Sequence, residues 1–496
     1  MRKMRAKAGC VWLVVLGIAG LLSGCRAAPG TPQRSADITA GDMQARVHFL
    51  ADDRLLGRAT PSSGLDIAAA FIRSEFQRIG LQAPPGGFEQ RYQLVMTEMG
   101  AGWSLALSSG GRRAALRHGS DFWGLPWAAG TVEGGLRFVG DRIPTVSAES
   151  GDGEVWVARL GLAAQPREWL EAATRAGAVG IVFIVPADMK ALVSHWVGAG
   201  ETVYELGDVE PSLPAALVSD SALAAAMGQL GLEAMTAGAS STGAQAAARV
   251  QIAADLRVET LAAPNVVGVL QGGDPALREE YVLVSAHMDG LGVGRPLDGD
   301  SIYNGADDNA SGTATLLEIA EAVAALNQVP RRSILFLAVS GEERGMLGSS
   351  WFVEHPPVPL ERIVANLNID MVGRNWEDTI AVIGKPYSTL GTLVDSVAAA
   401  HPELNVTPVG DRWPGEGFFF RSDHFNFARK GIPSVFFFNG THEDYHMPSD
   451  EADKIDYAKA ARIAQLIFEI TLTLSMAEDP PRWDEAARER IVEGRR

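Results

Sequence analysis

From Ala263 onward the chain alternates between short apolar runs and longer stretches in which apolar positions recur at helical spacing. Continuous apolar runs occupy Val266–Leu270, Tyr281–Ala286, Ser333–Val339, Val364–Ile369 and Ser434–Phe438, and helical spacing marks Thr313–Leu326, Leu390–Ala400 and Tyr457–Leu474. A strand that is apolar on both faces has to be covered on both, and alternating helices supply that cover. The pattern predicts an α/β fold with a mostly parallel central sheet flanked by helices. Nearer the start, Gly64–Gly80 reads as one amphipathic helix, with Ile67, Ala70, Phe71, Ser74, Phe76 and Ile79 along a face and Gly80 as the stop.

Between Ser108 and Asp255 the texture changes to short runs broken by Gly and Pro. Strands are expected at Gly153–Arg159, Gly180–Val185 and Leu213–Ser219, with a helix at Trp169–Ala176. The chain therefore divides into a larger domain at 41–108 and 257–476, a smaller inserted domain at 109–256, and a charged tail at 477–496. His48 with its acidic neighbours reads as surface or helix cap, and His195 with Trp196 as packing or surface.

The first 24 residues read as a signal peptide: Arg2, Lys3, Arg5 and Lys7 precede the apolar run Val11–Leu22. Leu22-Ser23-Gly24-Cys25 resembles the lipobox of bacterial lipoproteins, which implies cleavage before Cys25, lipidation of that cysteine and attachment to a membrane. Arg26 stands where an inner-membrane retention aspartate would be, so the resemblance points to the outer membrane, facing the periplasm or the cell surface. Residues 25–40 form a Pro/Gly/Ser-rich tether. Cys10 leaves with the leader, so no disulfide can form within the mature chain. The formal charge of -17 and the lack of a basic stripe argue against nucleic acid as a partner. No other apolar stretch reaches the roughly 18 residues that span a bilayer.

Several ionisable residues follow the ends of expected strands. His287 and Asp289 come after one, Glu342 and Glu343 after Ser333–Val339, Asp370 after Ile369 and His446 after Ser434–Phe438, while Asp308 sits on an acidic turn before a helix. Active sites of parallel α/β sheets lie at that edge. Two imidazoles and several carboxylates without a thiolate suit zinc in a site open to water, or cobalt or manganese. The set is large enough for two metals about 3.5–4 Å apart with one carboxylate left for proton transfer.

The strings SAHMDGLG, GADDNASG, SGEERGMLGS, NIDMVG, RSDHFNFARKGIPSVFF and DYHMPSD resemble those of the di-zinc aminopeptidase and glutamate carboxypeptidase family, peptidase family M28. The resemblance implies a zinc exopeptidase fold, a peptide substrate and two Zn2+ ions held by His287, Asp308, Glu343, Asp370 and His446, with Asp308 bridging. It further implies Glu342 as the base, Tyr445 as a donor to the oxyanion, Asp289 as the partner that orients His287, and a cis Asp308–Asn309 bond. The inserted domain resembles a protease-associated domain. Gly290 and Met447 depart from the family pattern at positions that do not coordinate metal. Arg412–Phe420 is expected as a pocket wall, and Asp307 and Asp423 as residues that orient neighbours. An aminopeptidase is the expected activity; the alternatives are a carboxypeptidase of the same family, a glutaminyl cyclase, against which Glu343 argues, and an inactive binding lipoprotein.

Overall fold

The computed structural model describes residues 37–143, 153–160, 166–186, 202–207, 212–232 and 248–494. The signal peptide, Cys25, nearly all of the tether, and His195 with Trp196 lie outside the described residues. Two sheets carry the fold, each with its own apolar core. The larger has nine strands in the order Thr407–Val409, Thr379–Ile383, Ser434–Phe438, Ile363–Ile369, Tyr281–His287, Ser333–Val339, Leu256–Leu270, Glu89–Met99 and Val203–Leu206.

Its centre is parallel. Tyr281–His287 lies between Ser333–Val339 and Ile363–Ile369, and the latter runs beside Ser434–Phe438. Alternate side chains of these strands enter opposite cores, Val282, Val284 and Ala286 on one face and Leu283 on the other. Helices Ser63–Ile79, Gly312–Ala324 and Tyr457–Met476 cover the first face, and Phe352 and Phe427 close the second. Cover on both faces explains the unbroken apolar runs in the sequence.

The flanks turn antiparallel, so the sheet as a whole is mixed. Leu256–Leu270 runs against both Ser333–Val339 and Glu89–Met99, and Thr379–Ile383 runs against Ser434–Phe438. The sequence pattern misses Glu89–Met99 and the first part of Leu256–Leu270 because their burial is irregular and partial. Val203–Leu206 falls within the expected insertion, yet it pairs with Glu89–Met99 at the edge of the larger sheet.

Helix Ser63–Ile79 starts where the Ser62 hydroxyl accepts the Leu65 N–H and stops at Gly80, whose φ of 85° favours glycine. Its buried face is Leu65, Ala68, Ala69, Ile72, Phe76 and Ile79, whereas Ile67 is 46% exposed. The expected stripe is rotated because two alanines, which carry little weight in a hydrophobic period, make the contact assigned to Ile67.

The second sheet has eight strands, with Gly130–Gly140, Glu154–Arg159, Gly180–Val185 and Ala215–Ser219 parallel at its centre. Trp123, Trp156 and Phe183 fill its core. The tail is ordered where described: Asp484 caps helix Glu485–Ile491, which buries Ala487 and Ile491 beside Phe418 and Phe436. Among the described residues no helix is long and apolar enough to cross a membrane.

Candidate metal centre

The strand Tyr281–His287 is buried up to its last residue, and the Met288 N–H still donates to the Val339 carbonyl at 2.8 Å, so pairing carries His287 rigidly to the sheet edge. Beside it the turn Ala306–Ser311 is fully buried. Gly305 enters this turn at φ 56°, and a Cβ there would lie 2.1 Å from the Asp308 carbonyl oxygen, so only glycine fits. The Asp308–Asn309 bond is cis, as the family resemblance implies. The side chain of Asn309 ties the turn to the next strand end: its Nδ2 donates to the Ile369 carbonyl (2.9 Å) and its Oδ1 accepts from the N–H of Met371 (3.1 Å).

These elements bring the five expected ligands together as two groups that share one residue. His287, Asp308 and Asp370 form the first and Asp308, Glu343 and His446 the second, with the donor atoms of each group within 4.8 Å of one another. Asp308 turns one oxygen to each group. Its Oδ1 is 3.3 Å from His287 Nε2, and its Oδ2 is 3.3 Å from His446 Nε2. Asp370 Oδ1 lies 3.3 Å from the same His287 nitrogen, and Glu343 Oε2 lies 3.5 Å from His446 Nε2. Nitrogen and carboxylate donors in this arrangement fit zinc.

Electrostatics favour cations here. Burial, reinforced by the neighbouring carboxylates, pushes Glu342, Glu343 and Asp370 up from their ordinary values. Burial works the same way on Asp308, but its contacts with His287 and His446 outweigh it and hold the carboxyl down. His287 is penalised by burial and yet raised, because Asp370, Asp289 and Asp308 surround it. So much buried carboxylate needs either protons or cations to balance it.

Glu342 and Tyr445 line the same cavity of about 360 Å³ as Asp308, Glu343, Asp370 and His446. The Tyr445 ring stacks on the His446 imidazole with centroids 3.8 Å apart, and burial first, then the nearby carboxylates, raise its hydroxyl above the ordinary phenol value. Of the expected pocket wall, Phe418 and Phe420 reach the cavity, while Arg412 packs over Trp376. Asp289 lies beside His287 through both its backbone and its side chain. The acceptor nearest His287 Nδ1 is the Asp289 backbone carbonyl at 3.2 Å, with the carboxylate at 3.6 Å. That carboxylate also accepts from the Thr60 hydroxyl (2.9 Å) and from the Glu342 N–H (3.3 Å), and Thr60 in turn accepts from the Gly341 N–H. Asp289 thus holds the turn that carries Glu342 and Glu343. Asp307 accepts from the Gly373 N–H and lies 3.3 Å from His442, and Asp423 accepts from Ser349. Gly290 is explained locally, because a Cβ there would meet the Gly57 carbonyl at 2.8 Å.

Sequence reasoning missed the bracing residues. Arg58 is fully buried and donates to the carbonyls of Leu50, Met288, Asn304 and Gly305, fastening the His287 strand end to the Asp308 turn. Burial lowers its pKa to about 10 against the pull of Asp289 and Asp450, so it remains charged. Asp450 accepts from the N–H groups of Asp307 and Asp308, and burial with Asp307 beside it pushes its carboxyl up to about 7. A chain of buried side chains runs Ser285, Asn368, Ser422, Asp370, each within 2.9 Å of the next. Asp450 stands in the quoted string DYHMPSD and was findable there; a lone arginine in a loop carries no such signal.

Residues 265–471 match the model of peptidase family M28. It is 29% identical over 212 residues to aminopeptidase YwaD of Bacillus subtilis (strain 168), covering 41% of this chain and 43% of the relative. It is also 29% identical to a probable leucine aminopeptidase of Arthroderma otae, covering 41% of this chain and 56% of the relative. The chain thus spans about half the length of these relatives. The solved aminopeptidase from Aneurinibacillus sp. strain AM-1 superposes with a TM-score of 0.56 at 18% identity, over 90% of this chain and 98% of that one, a likeness of fold.

Proposed function

We propose that this chain is a zinc-dependent aminopeptidase that holds two ions at the shared-carboxylate site and removes N-terminal residues from peptides. The observation that carries the reading is Asp308, whose two oxygens face separate His/carboxylate groups in the cavity that also holds Glu342. The M28 match and the relatives named aminopeptidases support it. His287, Asp308 and Asp370 would hold one ion, and Asp308, Glu343 and His446 the other. Zinc bound there supplies Lewis acidity, polarising the scissile carbonyl and making a water easier to deprotonate.

The rest falls to the protein's own groups. Glu342 takes the proton from the attacking water and returns it to the leaving amine as the C–N bond breaks. The Tyr445 hydroxyl donates to the oxygen on which charge develops. Asp289 and Thr60 keep Glu342 in place through the backbone of the Gly341–Glu342 turn.

The same proposal extends to the whole molecule. The eight-stranded sheet with its own core suits a protease-associated-like module at about 109–256. The lipobox-like Leu22–Cys25 supports an exported protein anchored by lipidated Cys25 at the outer membrane. A panel of aminoacyl peptides and their N-acetylated forms tests the activity. Free-amine peptides are hydrolysed and blocked ones are not; equal rates on both would sink the aminopeptidase assignment.

A further inference from the structure

The cavity at the metal centre is rich in carboxylates, yet Arg421 also lines it, and it is the one Arg or Lys among the described lining residues. Two other arginines near the site are engaged: Arg58 donates to four carbonyls, and Arg374 lies 2.9 Å from Asp444. Arg421 is not. Among the described residues its guanidinium makes no hydrogen bond, and the nearest acid, Glu416, approaches only to 3.9 Å while being 64% exposed itself. The guanidinium lies over the Phe418 ring, 4.7 Å from its centroid, and the side chain is 44% exposed.

A guanidinium held over an aromatic face gains from the ring while its N–H groups stay available to a ligand. Such a fork matches a carboxylate, and part of the ordering cost is already met before a ligand arrives. The cavity's own carboxylates are committed, four to the ion-binding groups and to proton transfer, so they do not explain a cation whose ion pair is a 3.9 Å approach to exposed Glu416. We propose that Arg421 is a specificity-determining residue that binds a carboxylate of the substrate close to the scissile bond. Two sources carry that chemistry, the α-carboxylate of a dipeptide and the side chain of an N-terminal Asp or Glu. The inference rests on the aminopeptidase reading and adds a substrate class to it: dipeptides or acidic N-termini.

The test compares kcat/KM of the zinc-loaded full chain on Leu-Gly, Leu-Gly-amide and Glu-Gly-amide. In the wild type at least one carboxylate-bearing substrate is favoured over Leu-Gly-amide. In Arg421→Gln that preference ratio falls about tenfold or more, and Arg421→Lys recovers part of it as a charge without the fork. A fall confined to Leu-Gly assigns the α-carboxylate, and one confined to Glu-Gly-amide assigns the side chain. Ratios that are the same in wild type and Arg421→Gln overturn the inference while the aminopeptidase reading stands. No turnover of any of the three overturns both.

Discussion

The two sheets are built alike and differ in what they bury. Each has parallel strands at its centre, apolar on both faces, ending together at one edge. In the span of the eight-stranded sheet, 104–254, Ser219 is the only buried polar residue among those described. At its strand ends Arg159 and Asp220 form a 3.0 Å pair that is partly open to solvent. At the corresponding edge of the larger sheet, His287, Asp289, Asp307, Asp308, Asp370, Asp423 and Asp450 are all buried. Burying a polar group is costly unless a partner is supplied, so a fold that needs only stability avoids it, as the smaller sheet does. The density of buried acids marks the edge where cations are expected, and Arg58, Asn309 and Asp450 are the structural cost of keeping that edge rigid.

The sharpest way to break this contrast is to remove chemistry without removing the site. Glu342→Gln should lower kcat by about 10²–10⁴-fold while bound zinc, measured by elemental analysis, stays at the wild-type level. Full activity in that variant would take Glu342 out of the mechanism. A smaller effect comes from His424, fully buried between Phe419 and Phe436. Burial lowers its pKa from 6.5 to about 3. Because the folded value lies below the unfolded one, its contribution is complete above pH 6.5 and is lost as pH falls towards 3. At pH 5 the loss is about 2 kcal/mol. His424→Phe should lack it, so the urea midpoint of the variant should fall less between pH 7 and pH 5; equal falls would show that His424 is not buried neutral. The smallest change belongs to the other sheet. Ser219 caps helix Asp220–Gln229 by accepting the Ala222 N–H, and Ser219→Ala should cost about 1 kcal/mol with peptide turnover unaltered. A large loss of turnover would mean that the two sheets are energetically coupled.

Much of the larger sheet was legible because strands such as Ser333–Val339 are buried on both faces and therefore read as continuous apolar runs. Its antiparallel flank was not, since Glu89–Met99 mixes exposed and buried positions without a clean period. Helix Ser63–Ile79 was found with its ends nearly right and its face turned, because Ala68 and Ala69 bury closely without looking strongly apolar. In the site, the residues with unusual chemistry at strand ends were legible as a set. Their supports were not: Arg58 and Thr60 act from more than 200 positions away along the chain, through contacts to the Met288 carbonyl and the Gly341 N–H that no side-chain pattern encodes. The second contact of Asp289, with Thr60, is hidden for the same reason, since it is visible only in three dimensions.

The central claim is that Asp308 joins two metal positions into one hydrolytic centre. Protein stripped with a chelator should be titrated with zinc while Leu-Gly-amide hydrolysis is followed. The account predicts that activity is absent at the start, reaches its maximum as two ions per chain are bound, and is not restored in Asp308→Asn. Hydrolysis that persists in the metal-free protein, or that Asp308→Asn recovers in full, would contradict it.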